Sequence, residues 1–173
     1  MRAVNNVRKQ KGISLIEVLV TVLILAIGLL GVASLQSLSL KGGTQSFLNT
    51  RAQMVTSDLV DRMMANIDSA VNGDYAATPA ASEPSPNCHT ASCSGAQMAA
   101  HDLWQVSNRM TNEMLLPQGA LSVTYDATNR EYSIAVTWDA EVGGSASGGS
   151  YTVSTCTAAD NANSGCMFTA VRF

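Results

Sequence analysis

The chemically distinctive residues nearest the N-terminus are a group of cations and a single carboxylate. Glu17 lies inside an otherwise apolar segment, and the 23 positions from Val18 to Leu40 carry no charge. A helix of about 20 apolar residues spans a bilayer, and an unpaired carboxylate costs roughly 2.5 kcal/mol or more in lipid. Glu17 therefore requires a charged partner or a function. The first twelve positions hold no acid and four basic residues: Arg2, Arg8, Lys9 and Lys11.

Two simpler interpretations account for the basic and apolar residues alone. An ordinary secretory signal peptide has the same order, and Gly31-Val32-Ala33 would supply its small-x-small cleavage site. A plain membrane anchor with a periplasmic domain is the second interpretation. Neither one explains Glu17, or Gly12 at the border between the basic leader and the apolar run.

The motif that joins these residues is Lys11-Gly12-Ile13-Ser14-Leu15-Ile16-Glu17-Val18-Leu19-Val20. It resembles the class III signal of type IV pilins and pseudopilins. The resemblance implies that a prepilin peptidase cleaves after Gly12 on the cytoplasmic side and methylates the new amine of Ile13. Most family members carry Phe at that position, so Ile13 is a departure.

The resemblance also implies a role for Glu17 in assembly rather than catalysis. In a bundle of such helices, its carboxylate can pair with the N-terminal ammonium of a neighbouring subunit. Because a charge pair in a low dielectric is strong, a wrong axial register leaves both charges unpaired at a high cost. Glu17 is therefore predicted to set the stagger of subunits.

The charge distribution disfavours nucleic-acid binding. Without residues 1–12 the chain keeps six basic against thirteen acidic residues, a net charge of −7 with His neutral. Phosphate-backbone binding depends on clustered Lys and Arg, which are scattered here. The basic leader predicts a cytoplasmic N-terminus and a periplasmic C-terminal region.

Beyond the membrane, apolar residues recur at three- and four-residue spacing and predict an amphipathic helix as far as the stop signal Asn72-Gly73-Asp74. Asp58 and Arg62 are spaced for a surface ion pair. The run Asp61-Arg62-Met63-Met64-Ala65-Asn66 resembles the V-type minor pilins, the type IV pilus modification (PilV) proteins. The apolar stripe comprises Leu48, Ala52, Val55, Leu59, Met63 and Ile67.

Four cysteines permit three pairings, and the sequence alone does not choose among them. An oxidising compartment and short loops favour Cys88–Cys93 and Cys156–Cys166. A metal site built from Cys88, His89, Cys93 and His101 is the alternative, but its spacing fits no common zinc framework.

The C-terminal region predicts one helix and an antiparallel sheet. Ala99, Leu103, Val106, Met110 and Met114 share a helical face, with Trp104 as a core anchor or interface residue. Alternation predicts strands through Leu121–Tyr125 and Tyr132–Trp138, joined by a turn at 126–129, and two further strands at Tyr151–Thr155 and Met167–Phe173. The segment 142–150 is rich in Gly and Ser.

The chain contains no recognisable set of nucleophile, base and orienting residue, so an enzyme and a bound cofactor are not expected. The predicted fold is α+β, with a long N-terminal helix on a small antiparallel sheet. Its predicted segments are a leader (1–12), a transmembrane half-helix (13–40), an amphipathic half-helix (41–72) and a periplasmic head (73–173).

The resemblance implies a minor pilin in a tip or priming complex for type IV pilus assembly. Its partners would be other minor pilins, the major pilin, the prepilin peptidase and the inner-membrane assembly platform. The protein would pass from the inner membrane into the pilus. A minor pseudopilin of a type II secretion system is the nearest alternative. A membrane-anchored ligand-binding or adhesive module is the more distant one, because it requires a concave aromatic site.

Overall fold

The computed structural model describes residues 12, 14–114, 116–139, 156–157 and 165–173. Ile13, the predicted strand at 151–155 and the Gly/Ser-rich segment 142–150 lie outside the described residues. The chain divides into two compact units, one up to Gly43 and one from Thr44 to Phe173. The second is called the head unit below.

Helix α1 extends from Leu15 to Ala65. It begins where the Ser14 carbonyl accepts the backbone N–H groups of Glu17 and Val18, at 3.0 and 3.3 Å. Both residues of the Gly42-Gly43 pair lie within the helix. Glycine is a poor helix former by about 1 kcal/mol relative to alanine, so the pair remains the least stable part of an otherwise regular helix.

The amphipathic helix ends earlier than the periodicity predicts. Asn66 leaves the helical conformation (φ −119°, ψ 54°), and a separate short helix α2 covers Ile67–Asn72. The Asn66 side chain donates to the Gly95 carbonyl at 2.8 Å and to the Tyr75 hydroxyl at 3.3 Å, contacts with distant parts of the chain that stabilise the break. The five stripe residues before the break are buried, but Ile67 is 46% exposed. The assignment of Ile67 to the buried stripe is therefore wrong.

Gly73 ends α2 in the left-handed region at φ 89°, as the stop signal predicts. Its N–H and that of Asp74 return to the Ala70 and Ser69 carbonyls, which satisfies two of the last helical acceptors. A Cβ at position 73 would lie 2.9 Å from the Tyr125 ring. Both the backbone conformation and the available space therefore require glycine.

We predict that Gly73→Ala lowers the free energy of unfolding of the head unit by about 1–2 kcal/mol, since a non-glycine residue is strained at positive φ. The contact with Tyr125 adds to that cost. Gly42→Ala is the control, because its Cβ meets nothing within 4 Å. Urea denaturation of both variants in detergent provides the comparison. Equal midpoints would contradict the prediction.

Helix α3 covers Gly95–Asn112 and begins with a capping box. The Ser94 hydroxyl accepts from the Gln97 N–H at 3.3 Å, and the Gln97 side chain accepts from the Ser94 N–H at 2.9 Å. Met114, just beyond the helix, packs against the core. Four residues of the predicted apolar face are buried: Ala99, Leu103, Val106 and Met110.

Three antiparallel strands form one sheet in the order β1-β2-β3, with β1 at Ala120–Asp126, β2 at Glu131–Thr137 and β3 at Cys166–Arg172. The register pairs Val123 with Ile134 and Val136 with Met167. Val123, Ile134 and Val136 lie on the sheet face that packs with α1 and α3 into one core. The chain thus has the predicted α+β, pilin-like fold: a long apolar N-terminal helix and a small antiparallel sheet.

The core tryptophan is Trp138, at the end of β2, with 1% of its surface exposed. Trp104 is only half-buried on α3, where its ring centroid lies 5.6 Å from that of His101. Trp138, rather than Trp104, therefore anchors the core.

Candidate functional site

The predicted processing and register residues lie at the beginning of α1. Gly12 is exposed, Ile13 is outside the described residues, and Glu17 occupies the first turn of the helix. A carboxylate in the first turn interacts favourably with the helix dipole, by up to about 1 kcal/mol. Within the part of the chain that the structure describes, no cation forms an ion pair with Glu17. The dipole offsets only part of its desolvation cost, which leaves the carboxylate available to a partner.

The segment that follows Glu17 presents apolar side chains on all sides. Every residue from Leu15 to Phe47 is exposed, although this stretch contains most of the large aliphatic residues of α1. By length and composition, α1 is apolar enough to cross a membrane. Such a surface is stable only in lipid or against other apolar helices. Among the residues that the structure describes, none supplies the apolar environment that the composition of this segment requires.

The cysteines form two local disulfides in the head unit. Cys88 is bonded to Cys93 and Cys156 to Cys166, which are the pairs that compartment and loop length favoured. The second bridge is buried against Ala135 behind the sheet. Because Cys88 and Cys93 are bonded to each other, they are not thiolate ligands of the alternative metal site. The described residues contain no group of three or more His, Cys, Asp or Glu side chains arranged to hold a metal ion.

Residues 7–33 match the family model of the prokaryotic N-terminal methylation motif. The match supports a type IV pilin-like protein. It covers residues 7–12 of the leader, then Ile13, Glu17 and the first part of the apolar helix, and it does not distinguish a pilin from a pseudopilin. Comparison with curated proteins found no match, and comparison with solved structures found none.

For a pilin-like chain, this motif implies processing by a prepilin peptidase, one membrane-embedded helix and assembly into a filament. The motif is found in structural pilins rather than enzymes. The exposed apolar part of α1 fits a membrane and also a filament, since lipid and a bundle of apolar helices are equally dry.

A network of charged side chains connects α1 to α3 within the head unit. Arg62 donates to Asp58 at 3.2 Å, within α1, as the spacing predicts. It also donates to Asp102 at 2.9 Å and to the Gln105 side-chain oxygen at 2.6 Å, both on α3. Asp58 in turn accepts from Arg109 at 2.9 Å. Since the Arg62 side chain is only 22% exposed, its description as part of a surface pair is incomplete.

The inner end of this network is a tyrosine. The Tyr75 hydroxyl donates to the second oxygen of Asp102 at 2.8 Å, and the side chain is fully buried. Burial, and then the hydrogen bond to Asp102, raise the pKa of Tyr75 well above its usual range. For Arg62, burial works to lower the pKa, but the hydrogen bond and charge of Asp102 and Asp58 outweigh it and raise the pKa. Both groups therefore keep their protons at any physiological pH.

Two further tyrosines bind the end of α2. Tyr132 donates to the Ala70 carbonyl at 2.7 Å and Tyr125 to the Val71 carbonyl at 3.0 Å. These carbonyls belong to the last helical turn, where the helix itself supplies no donors. Alternation along the two strands predicts only the strand faces of Tyr125 and Tyr132. Their hydroxyl partners, 54 and 62 residues away, could not be found from periodicity.

We predict that the head unit loses stability as pH rises above about 10, the ordinary tyrosine value. Burial raises the pKa of Tyr132 to about 12, so the unfolded chain releases this proton before the folded one. The contribution is fully present below pH 10 and is lost as pH approaches 12. Melting temperatures over this range provide the measurement. Tyr132→Phe should show a shallower decline, and an unchanged slope would contradict the assignment.

An open groove of about 400 Å³ lies between the C-terminal part of α1 and β3. Its lining includes Gln53, Asp61 and Met167, and none of its described lining residues is aromatic. Tyr75, Tyr132 and Trp138 are buried in the core instead. The described part of the groove therefore does not present the aromatic surface that the ligand-binding or adhesive alternative requires.

Proposed function

We propose that this protein is a minor pilin that takes part in a tip or priming complex and so initiates type IV pilus assembly. A prepilin peptidase cleaves it after Gly12 and methylates Ile13. It then remains in the inner membrane with its head in the periplasm until filament growth extracts it. Its partners are other minor pilins, the major pilin and the inner-membrane assembly platform.

The observation that carries the proposal is the combination of the methylation motif with an apolar helix that is exposed along its whole first part. The lone Glu17 supports a filament over a simple anchor, because an anchor has no use for a carboxylate near the start of its span. In a filament, the ammonium of a neighbour's Ile13 is its counter-charge.

The minor-pilin assignment rests on the head unit. Its Asp61–Asn66 run resembles the V-type minor pilins, and Arg62 of that run connects α1 to α3. The order of two cysteines, a helix with Asp102 and Trp104, and then Leu116-Pro117 also resembles that family. These features favour a pilus subunit over a secretion pseudopilin.

The processing step is tested by intact mass of the membrane-extracted protein, from cells with and without prepilin peptidase. We expect a mass that begins at Ile13 with one added methyl group, and the uncleaved chain when the peptidase is missing. Reduction should add four protons, two for each disulfide. An N-terminus at Ser34 would instead indicate an ordinary secreted protein.

The assembly role is tested in a deletion strain complemented with the wild-type chain. Loss of surface pili with normal protein secretion is the expected phenotype. Loss of secretion with intact pili would favour the minor pseudopilin of a type II system. Immunogold labelling of isolated filaments separates a tip position, with one label per fibre, from a position along the shaft.

A further inference from the structure

The loop from Glu83 to Ser94 is attached to α3 by two contacts that involve both histidines of the chain. On α3, Gln105 lies 3.2 Å from the ring Nε2 of His89. Also on α3, the Nε2 of His101 lies 3.6 Å from a carboxylate oxygen of Glu83. The two imidazole rings are close together, with centroids 4.9 Å apart. The loop is therefore attached to the helix at points where a proton changes the interaction.

The first contact requires a neutral His89. Arg62 can only donate, so the side-chain atom of Gln105 that lies 2.6 Å from it is the amide oxygen. The amide nitrogen consequently faces His89 and donates, and the His89 Nε2 must accept. The neutral ring then carries its proton on Nδ1. Rotation of the amide would place its NH₂ group against the guanidinium, so Arg62 fixes the tautomer of a histidine that it does not touch.

The second contact favours a protonated His101. Its side chain is 2% exposed, and its Nε2 has no hydrogen-bond partner among the described residues. The Glu83 oxygen at 3.6 Å is too far for a hydrogen bond but close enough for an ion pair. A proton on Nε2 gives this buried ring a charge that the Glu83 carboxylate can pair with. Asn87 donates to the same oxygen at 2.6 Å and holds the carboxylate in place.

The groups around the two imidazole rings favour an added proton on only one ring, that of His101. Glu83 is the carboxylate that faces His101, and Gln105 is the neutral donor that faces His89. The carboxylate of α3 itself, Asp102, follows His101 in the sequence and is already bonded to Arg62 and Tyr75. Two cationic rings at this distance repel each other, and a proton on His89 would place N–H against N–H at Gln105.

We propose that Glu83, His89, His101 and Gln105 form a proton-operated clasp that tightens the loop onto α3 in mild acid. Near neutral pH, the loop is attached through Gln105 and neutral His89. A proton on His101 adds an ion pair to Glu83 and leaves the first contact unchanged. More acidic conditions neutralise Glu83 and remove the added contact. Attachment of the Cys88–Cys93 loop is therefore strongest at intermediate, mildly acidic pH.

The state of each ring is measured by NMR on the full chain in detergent, with ¹⁵N-labelled histidine. Because the protein has two histidines, His89→Gln and His101→Gln assign every signal. At neutral pH, we expect the His89 ring to carry its proton on Nδ1. In mild acid, at about pH 5.5, we expect the added proton on His101 rather than on His89. The clasp would be overturned if His89 carried its proton on Nε2 at neutral pH. It would also be overturned if, at about pH 5.5, the Nε2 of His89 were protonated while His101 stayed neutral.

Attachment of the loop is measured by amide hydrogen exchange of residues 83–94, corrected for intrinsic rates. Exchange should slow by roughly twofold to fivefold between neutral pH and about pH 5.5, the effect of one partly exposed ion pair. Glu83→Gln should abolish this change. Glu131→Gln should retain it, because that exposed carboxylate pairs with Arg172 on the sheet. An equal pH response in the wild type and Glu83→Gln would overturn the proposal, whatever the outcome for pilus assembly.

Discussion

Glu17→Gln is expected to exclude the protein from filaments while leaving it inserted in the membrane with a folded head unit. The glutamine keeps the size and polarity of the side chain but removes the charge that a neighbour's N-terminal ammonium would meet. Removal of one partner from a buried ion pair costs about 3–5 kcal/mol, because the remaining charge stays unpaired. Incorporation should therefore fall at least tenfold.

The measurement is the ratio of this protein to the major pilin in sheared filaments, compared with its amount in the membrane fraction. Glu113→Gln is the matched control, since that side chain is 67% exposed in the head unit and pairs with Arg109 on the same surface. Intact mass must show that Glu17→Gln is still cleaved after Gly12. Wild-type incorporation of a correctly processed Glu17→Gln protein would exclude a role of this carboxylate in register.

The elements that depend on local pattern were predictable from the sequence. The alternation around Val123 and Ile134 places both side chains in the core, opposite each other across β1 and β2. The buried face of α3 also follows its periodicity. These predictions succeed because one face of each element is buried, and burial of alternate or three- and four-spaced residues is a local rule.

Long-range contacts explain the parts that were not predictable. The break after Ala65 depends on Asn66 reaching Gly95, 29 residues away, so the local stripe continued past it to Ile67. Trp104 and Trp138 are equally apolar in sequence, and only the packing of the sheet on the helices buries the second one. Spacing gave the Asp58–Arg62 pair, but no local signal indicated that Arg62 also meets α3, 40 residues later.

Glu17 differs from these cases because its proposed partner lies outside the chain. Glu17 is conspicuous because a carboxylate does not suit an apolar segment, and not because of a contact within the described residues. The described residues place Glu17 in the first helical turn without a cation beside it. The same logic makes the motif at residues 7–33 more informative about function than the whole head unit, where every charge of the network around Arg62 is paired within the chain.

Arg62→Met is expected to be the most destabilising single change in the head unit outside the apolar core. It leaves Asp102, whose side chain is 9% exposed, without its cation, and it removes the donor to Gln105. Breaking a fully buried pair costs about 3–5 kcal/mol, and the partial exposure of Arg62 reduces this to about 2–4 kcal/mol. The melting temperature in detergent should fall by roughly 10 °C.

Arg172→Met is the matched control, because Arg172 pairs with Glu131 in the same unit but is 68% exposed. Its loss should cost no more than about 1 kcal/mol. Asp102→Asn in the Arg62→Met background tests the cause directly. If the damage comes from an unpaired buried carboxylate, the second change should recover part of the lost stability, because the amide carries no charge to leave uncompensated. Additive losses would instead mean that Arg62 acts through the packing of its aliphatic stem, and the network would then be a consequence of the fold rather than a support for it.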